Sequence, residues 1–137
     1  MNVNQIQAMK KAGEKSVALV VWDAPTAHIA HQCGADFLIV GDSVGVNLWG
    51  QSNNLEITLD DFLVAVKAVR RGAPGALICA DIPYGPVQID SRDGVRAAIR
   101  LVQEGGADLV KIDAAPDFPD AVTAVTKAGI PVFAQMG

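Results

Sequence analysis

Four times in this chain a short, almost wholly apolar run stops abruptly at an aspartate. Ser16 to Trp22 runs into Asp23, Phe37 to Gly41 into Asp42, Ala76 to Ala80 into Asp81, and Ala107 to Ile112 into Asp113. The most sharply bounded of these is Asp36-Phe37-Leu38-Ile39-Val40-Gly41-Asp42-Ser43. An apolar run this short, closed by a turn signal, reads as a strand buried on both faces of a parallel sheet. In such sheets ligands sit beyond the carboxyl ends of the strands, where these aspartates emerge.

Helical segments fill the intervals. Asn4 to Lys11 reads as a short helix closed by Gly13. Pro25 suits a first helical position after Asp23 or Ala24, in a helix running to about Cys33 and stopping at Gly34. Thr58-Leu59-Asp60-Asp61 resembles a capping box with Asp61 in the usual Glu place, opening a helix through Phe62, Leu63, Val66 and Val69 to Gly72. Asp90 or Ser91 caps the next helix, through Val95, Ile99 and Val102, and Pro119 starts another that Gly129 closes. Pro131 to Gln135 begins a fifth strand. Two stretches show no period: Val44 to Ile57, rich in Gly and Asn, and Ile82-Pro83-Tyr84-Gly85-Pro86. Both are expected to be loops, and a loop as long as the first is usually functional.

Alternating strand and helix imply a parallel sheet with right-handed crossovers. Two architectures fit: an open doubly wound sheet, or the first part of a (β/α)8 barrel. A whole barrel needs ~200 residues or more, so 137 residues supply only about its first half. No Gly-x-Gly-x-x-Gly follows the first strand and no P-loop is present, which weighs against nucleotide-binding open sheets.

Composition removes other classes. A net charge of −4 argues against a nucleic-acid surface. Half of the residues are hydrophobic, yet no apolar run approaches the ~20 residues of a membrane span. Met1 to Lys15 lacks the apolar core of a signal peptide, so a cytoplasmic protein is expected. Cys33 and Cys79 show no metal or redox spacing and are expected in or near the core. Trp22 and Trp49 are expected to pack rather than to bind ligand.

Three successive strands carry Asp42, Asp81 and Asp113 to one edge. A single strand-end aspartate commonly caps a helix, but clustered buried carboxylates need a cation. Three hard oxygen ligands with room for water and substrate suit Mg2+ better than zinc. Lys111 lies two residues before Asp113 and therefore faces the same side of the strand. Its place inside Leu-Val-Lys-Ile-Asp argues for an anionic partner such as a substrate carboxylate, which Ser43 could also hydrogen-bond; a solvated strand-end charge is the alternative. His28 and His31, three apart on a helix, read as a surface face rather than a metal pair, and Arg70-Arg71 as cations complementing a helix C-terminus.

With these residues in view, the chain resembles the ketopantoate hydroxymethyltransferase family. The resemblance covers nearly the whole chain in order, through Met9-Lys10-Lys11-Ala12-Gly13, Trp22-Asp23-Ala24-Pro25-Thr26-Ala27, Val40-Gly41-Asp42-Ser43-Val44-Gly45 and Lys67-Ala68-Val69-Arg70-Arg71-Gly72-Ala73-Pro74. It continues in Ala80-Asp81-Ile82-Pro83, Gly106 to Asp113 and Ala128-Gly129-Ile130-Pro131-Val132. The Gly-Asp-Ser and Lys-Ala-Val-Arg-Arg-Gly-Ala-Pro matches are the specific ones. The resemblance implies a (β/α)8 TIM barrel of the phosphoenolpyruvate-mutase/isocitrate-lyase type, with residues 1–137 forming a single domain that is its N-terminal part, strands one to five. It also implies a large homo-oligomer and a hydroxymethyl transfer from 5,10-methylenetetrahydrofolate to 3-methyl-2-oxobutanoate, giving 2-dehydropantoate in pantothenate and coenzyme A biosynthesis, by way of a Mg2+-stabilised enolate. On matching positions Asp42, Asp81 and Asp113 would hold Mg2+, and Asp42, Ser43, Asp81 and Lys111 would meet the substrate.

The chain departs from the family pattern in four ways. Asp113 stands where the family usually has Glu, and Gln51 to Thr58 differs from its usual loop. Gln135-Met136-Gly137 replaces a His-hydrophobe-Gly, and the family's acid/base Glu would lie beyond residue 137. Two further readings are another Mg2+-dependent 2-oxo acid lyase or aldolase on the same barrel, and a non-catalytic half-barrel.

Overall fold

The computed structural model describes all residues 1–137. Its centre is one parallel sheet of five strands: β1 (Ala18–Val20), β2 (Phe37–Val40), β3 (Ile78–Asp81), β4 (Leu109–Ile112) and β5 (Val132–Ala134). Every neighbouring pair is parallel, and the order in the sheet is the order in the chain. A doubly wound sheet would reverse direction at a switch point. There is none here, so the barrel-type alternative holds.

The helices are α1 (Val3–Ala12), α2 (Ala24–Gln32), α3 (Val44–Asn47), α4 (Leu59–Gly72), α5 (Pro86–Ile89), α6 (Ser91–Gln103) and α7 (Pro119–Lys127). Their starts follow from the caps. Asp23 Oδ1 accepts from Thr26 N at 2.8 Å, Thr58 Oγ1 from Asp61 N at 3.2 Å, and Asp90 Oδ1 from Asp93 N at 2.8 Å. Each satisfies a backbone donor that the first helical turn leaves unpaired. Asp61 does not complete a capping box, because its carboxylate accepts the Thr58 hydroxyl at 2.6 Å.

The period of two along each strand separates two layers. Leu38, Val40, Ile78, Ala80, Val110 and Ile112 face the helices and join the main core with Phe62, Val66 and Leu101. Burying each large side chain contributes about 1.5–3 kcal/mol. Phe37, Leu77, Cys79 and Leu109 face the other way, into the barrel interior, where Val3 and Ile6 of α1 cover them. Lys111 and Asp81 continue this interior face towards the carboxyl ends, paired side by side in the sheet register.

Several expectations need correction. The first strand spans three residues rather than Ser16 to Trp22, and all three are exposed, Val20 by 51%. It is an edge strand with one neighbour, and the interior beside it is open. The stretch after Ser43 is not wholly irregular, since α3 forms there, and α5 follows the Pro/Gly loop. A 3-10 turn, Ala115–Asp117, lies before α7. Single turns of this kind have too few residues to show a period. Cys79 is buried as expected, but Cys33 caps α2 and is exposed. Trp49 is also exposed.

Candidate active site

Asp42, Asp81 and Asp113 leave three adjacent strands, and none of their side chains caps a helix. Asp23, which ends the first apolar run, does cap one. The two readings of a strand-end aspartate are thus divided between strands. Asp81 is the anchor of the group. Its side chain is 3% exposed, Lys111 Nζ lies 3.1 Å from its Oδ2, and Asp42 N donates to the same oxygen at 3.3 Å. Lys111 Nζ also reaches Asp113 Oδ1 at 3.2 Å. The anionic partner expected for Lys111 is therefore already present, as two carboxylates of the chain itself.

Electrostatics follow from this crowding. Burial pushes the Asp81 carboxyl up to about 6, although the Lys111 ammonium opposes the shift. Burial, then the charge of Asp113, raises Asp42 as well. Burial alone would depress the Lys111 ammonium, but Asp81 and Asp113 carry it above its ordinary value. Cys79, one step deeper on β3, is held as a neutral thiol by burial and then by the Asp81 charge. The site thus holds more negative charge than one ammonium neutralises.

Asp81 Oδ1 is buried and has no hydrogen-bond partner. A carboxylate oxygen in that condition is costly unless something binds it. The hard oxygen donors and this orphaned atom fit Mg2+, which takes one or two protein carboxylates and completes its shell with water and substrate. They do not form a closed cage, since no group of three His, Cys, Asp or Glu side chains converges as a ready metal site. Ser43 occupies the N-cap position of α3 without a side-chain capping bond, which leaves its hydroxyl free for a ligand.

A cavity of about 190 Å3 opens beside the carboxylates. Asp42 and Asp113 line its polar side, and Leu55, Ile82, Tyr84 and Ile112 its apolar side. Leu55 and Tyr84 belong to the two stretches without a period, and the position of Tyr84 three residues after Asp81 is the only sequence signal for it. A larger hollow, about 510 Å3, lies at the opposite end, where α1 crosses Phe37, Leu77, Leu109 and Phe133. It lies between α1 and the interior face of the sheet, and the strand-end carboxylates do not reach it. His28 and His31 are not brought to the site: His31 lies beside Gly75, ahead of β3. Arg70 does more than complement a helix end. Its guanidinium donates to the carbonyls of Gly106, Pro74 and Ala76 and pairs with Asp108 at 2.6 Å.

Consecutive parallel strands with helical crossovers agree with the solved structures that the chain resembles. A phosphonopyruvate hydrolase superposes with a TM-score of 0.75 at 16% identity, covering 98% of this chain and 52% of that one. A structure of phosphonopyruvate hydrolase complexed with oxalate and Mg++ gives 0.71 at 16%, with the same coverage. 2,3-Dimethylmalate lyase, a PEP mutase/isocitrate lyase superfamily member, gives 0.62 at 18%, over 96% of this chain and 51% of that one. The fold is a five-stranded parallel α/β half-barrel, similar to about half of a PEP mutase/isocitrate lyase superfamily member. The family model for ketopantoate hydroxymethyltransferase matches residues 1–137, and the chain belongs to that family.

Relatives agree with this assignment. The 3-methyl-2-oxobutanoate hydroxymethyltransferase of Geobacter sulfurreducens is 43% identical over 132 residues, which is 96% of this chain and 49% of the relative. That of Geobacillus kaustophilus is 40% identical over 129 residues, 94% and 46% respectively. That of Pseudothermotoga lettingae is 41% identical over 138 residues, 100% and 51%. The chain thus spans about half the length of the curated relatives it matches. No helix is long and apolar enough to cross a membrane.

Proposed function

We propose that this chain carries the metal-binding and oxo-acid-binding half of a ketopantoate hydroxymethyltransferase site. The observation that carries the reading is the buried, unpartnered Oδ1 of Asp81, whose other oxygen meets the Lys111 ammonium that also reaches Asp113. Asp42 and Asp81 would hold Mg2+, with Asp113 as the third acidic group. When bound, the metal supplies Lewis-acid polarisation of the keto oxygen of a 2-oxo acid. Lys111 and Ser43 bind and orient the acid's carboxylate. The wall made by Leu55, Ile82 and Tyr84 takes its branched alkyl group and keeps water from it. 5,10-Methylenetetrahydrofolate is the one-carbon donor. A homo-oligomer in the cytoplasm accords with the open sheet edges and with two cysteines that form no disulfide.

Calorimetry tests the reading. Binding of 3-methyl-2-oxobutanoate is expected with Mg2+ and not with EDTA, and Asp81→Asn should abolish it. Binding indifferent to the metal sinks the proposal. A second reading, another Mg2+-dependent 2-oxo acid lyase or aldolase, is favoured by Asp113 in a usual Glu place and by the altered loop that brings Asn54 and Leu55 to the cavity. Tighter binding of pyruvate or oxaloacetate than of the branched acid in the same titration would favour it.

A further inference from the structure

The indole Nε1 of Trp22 is buried and has no hydrogen-bond partner. An indole nitrogen can only donate, so its need can be met only by an oxygen brought to it. Trp22 lies just past β1, and its neighbour across the sheet is Gly41, just past β2. A Cβ added to Gly41 would lie 3.0 Å from Ser43 Oγ, 3.4 Å from Val20 Cγ1 and 3.6 Å from Trp22 Nε1. The space that a Gly41 side chain would fill is therefore bordered by both the indole donor and the serine hydroxyl, and the glycine leaves it free. Ser43 makes no capping bond, so its hydroxyl is free to turn.

A ligand does not reach the Trp22 nitrogen directly, because that atom is covered. Ser43 follows Asp42 in the chain, and Asp42 lines the cavity. We propose that Trp22 is a positioning residue, which acts across Gly41 by donating its Nε1–H to Ser43 Oγ when a 2-oxo acid binds. A serine that accepts one hydrogen bond must aim its own proton elsewhere, and chained hydrogen bonds polarise one another. The Ser43 proton is thereby directed at the incoming carboxylate. This inference rests on the proposed oxo-acid site and adds Trp22 and Gly41 to it.

Proton–nitrogen correlation spectra test it, because the chain has two tryptophans and hence two indole signals. Trp49→Phe assigns them. With Mg2+ and 3-methyl-2-oxobutanoate, the Trp22 signal should move downfield while that of exposed Trp49 stays in place. Ser43→Ala should abolish the shift while weaker binding persists in calorimetry, and Ser43→Thr, which keeps the hydroxyl, should restore it. Trp22→Phe should weaken binding by about two- to tenfold, the share of one neutral hydrogen bond. Binding with an unmoved Trp22 signal, or an equal shift in Ser43→Ala, overturns this inference and leaves the oxo-acid site standing. Absence of any metal-dependent binding overturns both.

Discussion

Ala114 follows Asp113 with φ of +49°, and it is the one residue other than glycine with positive φ. The left-handed conformation costs an L-residue about 1–2 kcal/mol, because Cβ crowds the following carbonyl oxygen. The strain sits at the turn that aims Asp113 towards Lys111, where distorted backbone often accompanies function. Ala114→Gly should therefore stabilise the chain by about 0.5–1 kcal/mol, once the larger entropy of glycine in the unfolded state is subtracted. A urea titration that shows the midpoint raised, with an unchanged slope, is the expected outcome. Nothing in the sequence signals this position, because alanine fits strand, helix and turn alike. The aspartates were legible for the opposite reason: a carboxylate at the end of an apolar run has few inexpensive fates. Even so, the pairing of Lys111 with Asp81 depends on the register of two strands 30 residues apart, which spacing along the chain does not contain.

At the scale of elements, the apolar runs and cap residues were enough to locate five strands and the five longer helices, within a few residues at each end. What they could not show was how closely two helices pass. Gly72, the last residue of α4, faces the backbone of α2 so tightly that an added Cβ would collide with the carbonyl of Ala24. In the sequence Gly72 reads only as a helix stop. Gly72→Ala would ordinarily favour a helix slightly. Here it should destabilise the fold by about 1–3 kcal/mol, since backbone atoms cannot yield as a flexible side chain can. Thermal melting that shows Tm lowered rather than raised separates packing from propensity. Arg70, two residues earlier, fastens the same end of that helix to the loops before β3 and β4. In the sequence it is only a cation near a helix end, and the three carbonyls that it gathers lie in segments with no period to reveal them.

For the molecule as a whole, β1 and β5 are both edges, with Leu19 40% and Phe133 40% exposed. Unpaired strand edges beside exposed apolar side chains recruit further strands. Light scattering should therefore give a mass above the 14.3 kDa of one chain, rising with concentration. Leu19→Lys should lower it, since a charge on an edge strand opposes pairing. A concentration-independent monomer would contradict this expectation. The exposure of β1 was not legible in its composition, because a strand reads as buried from its own residues, whereas its burial depends on what lies beside it.

The strand order has a kinetic meaning too. Each strand pairs with the one made just before it, so every new β-α unit finds its docking site already in place. Such a sheet can grow in one direction during synthesis, with a single crossover to close at each step. The newest strand is always the template for the next.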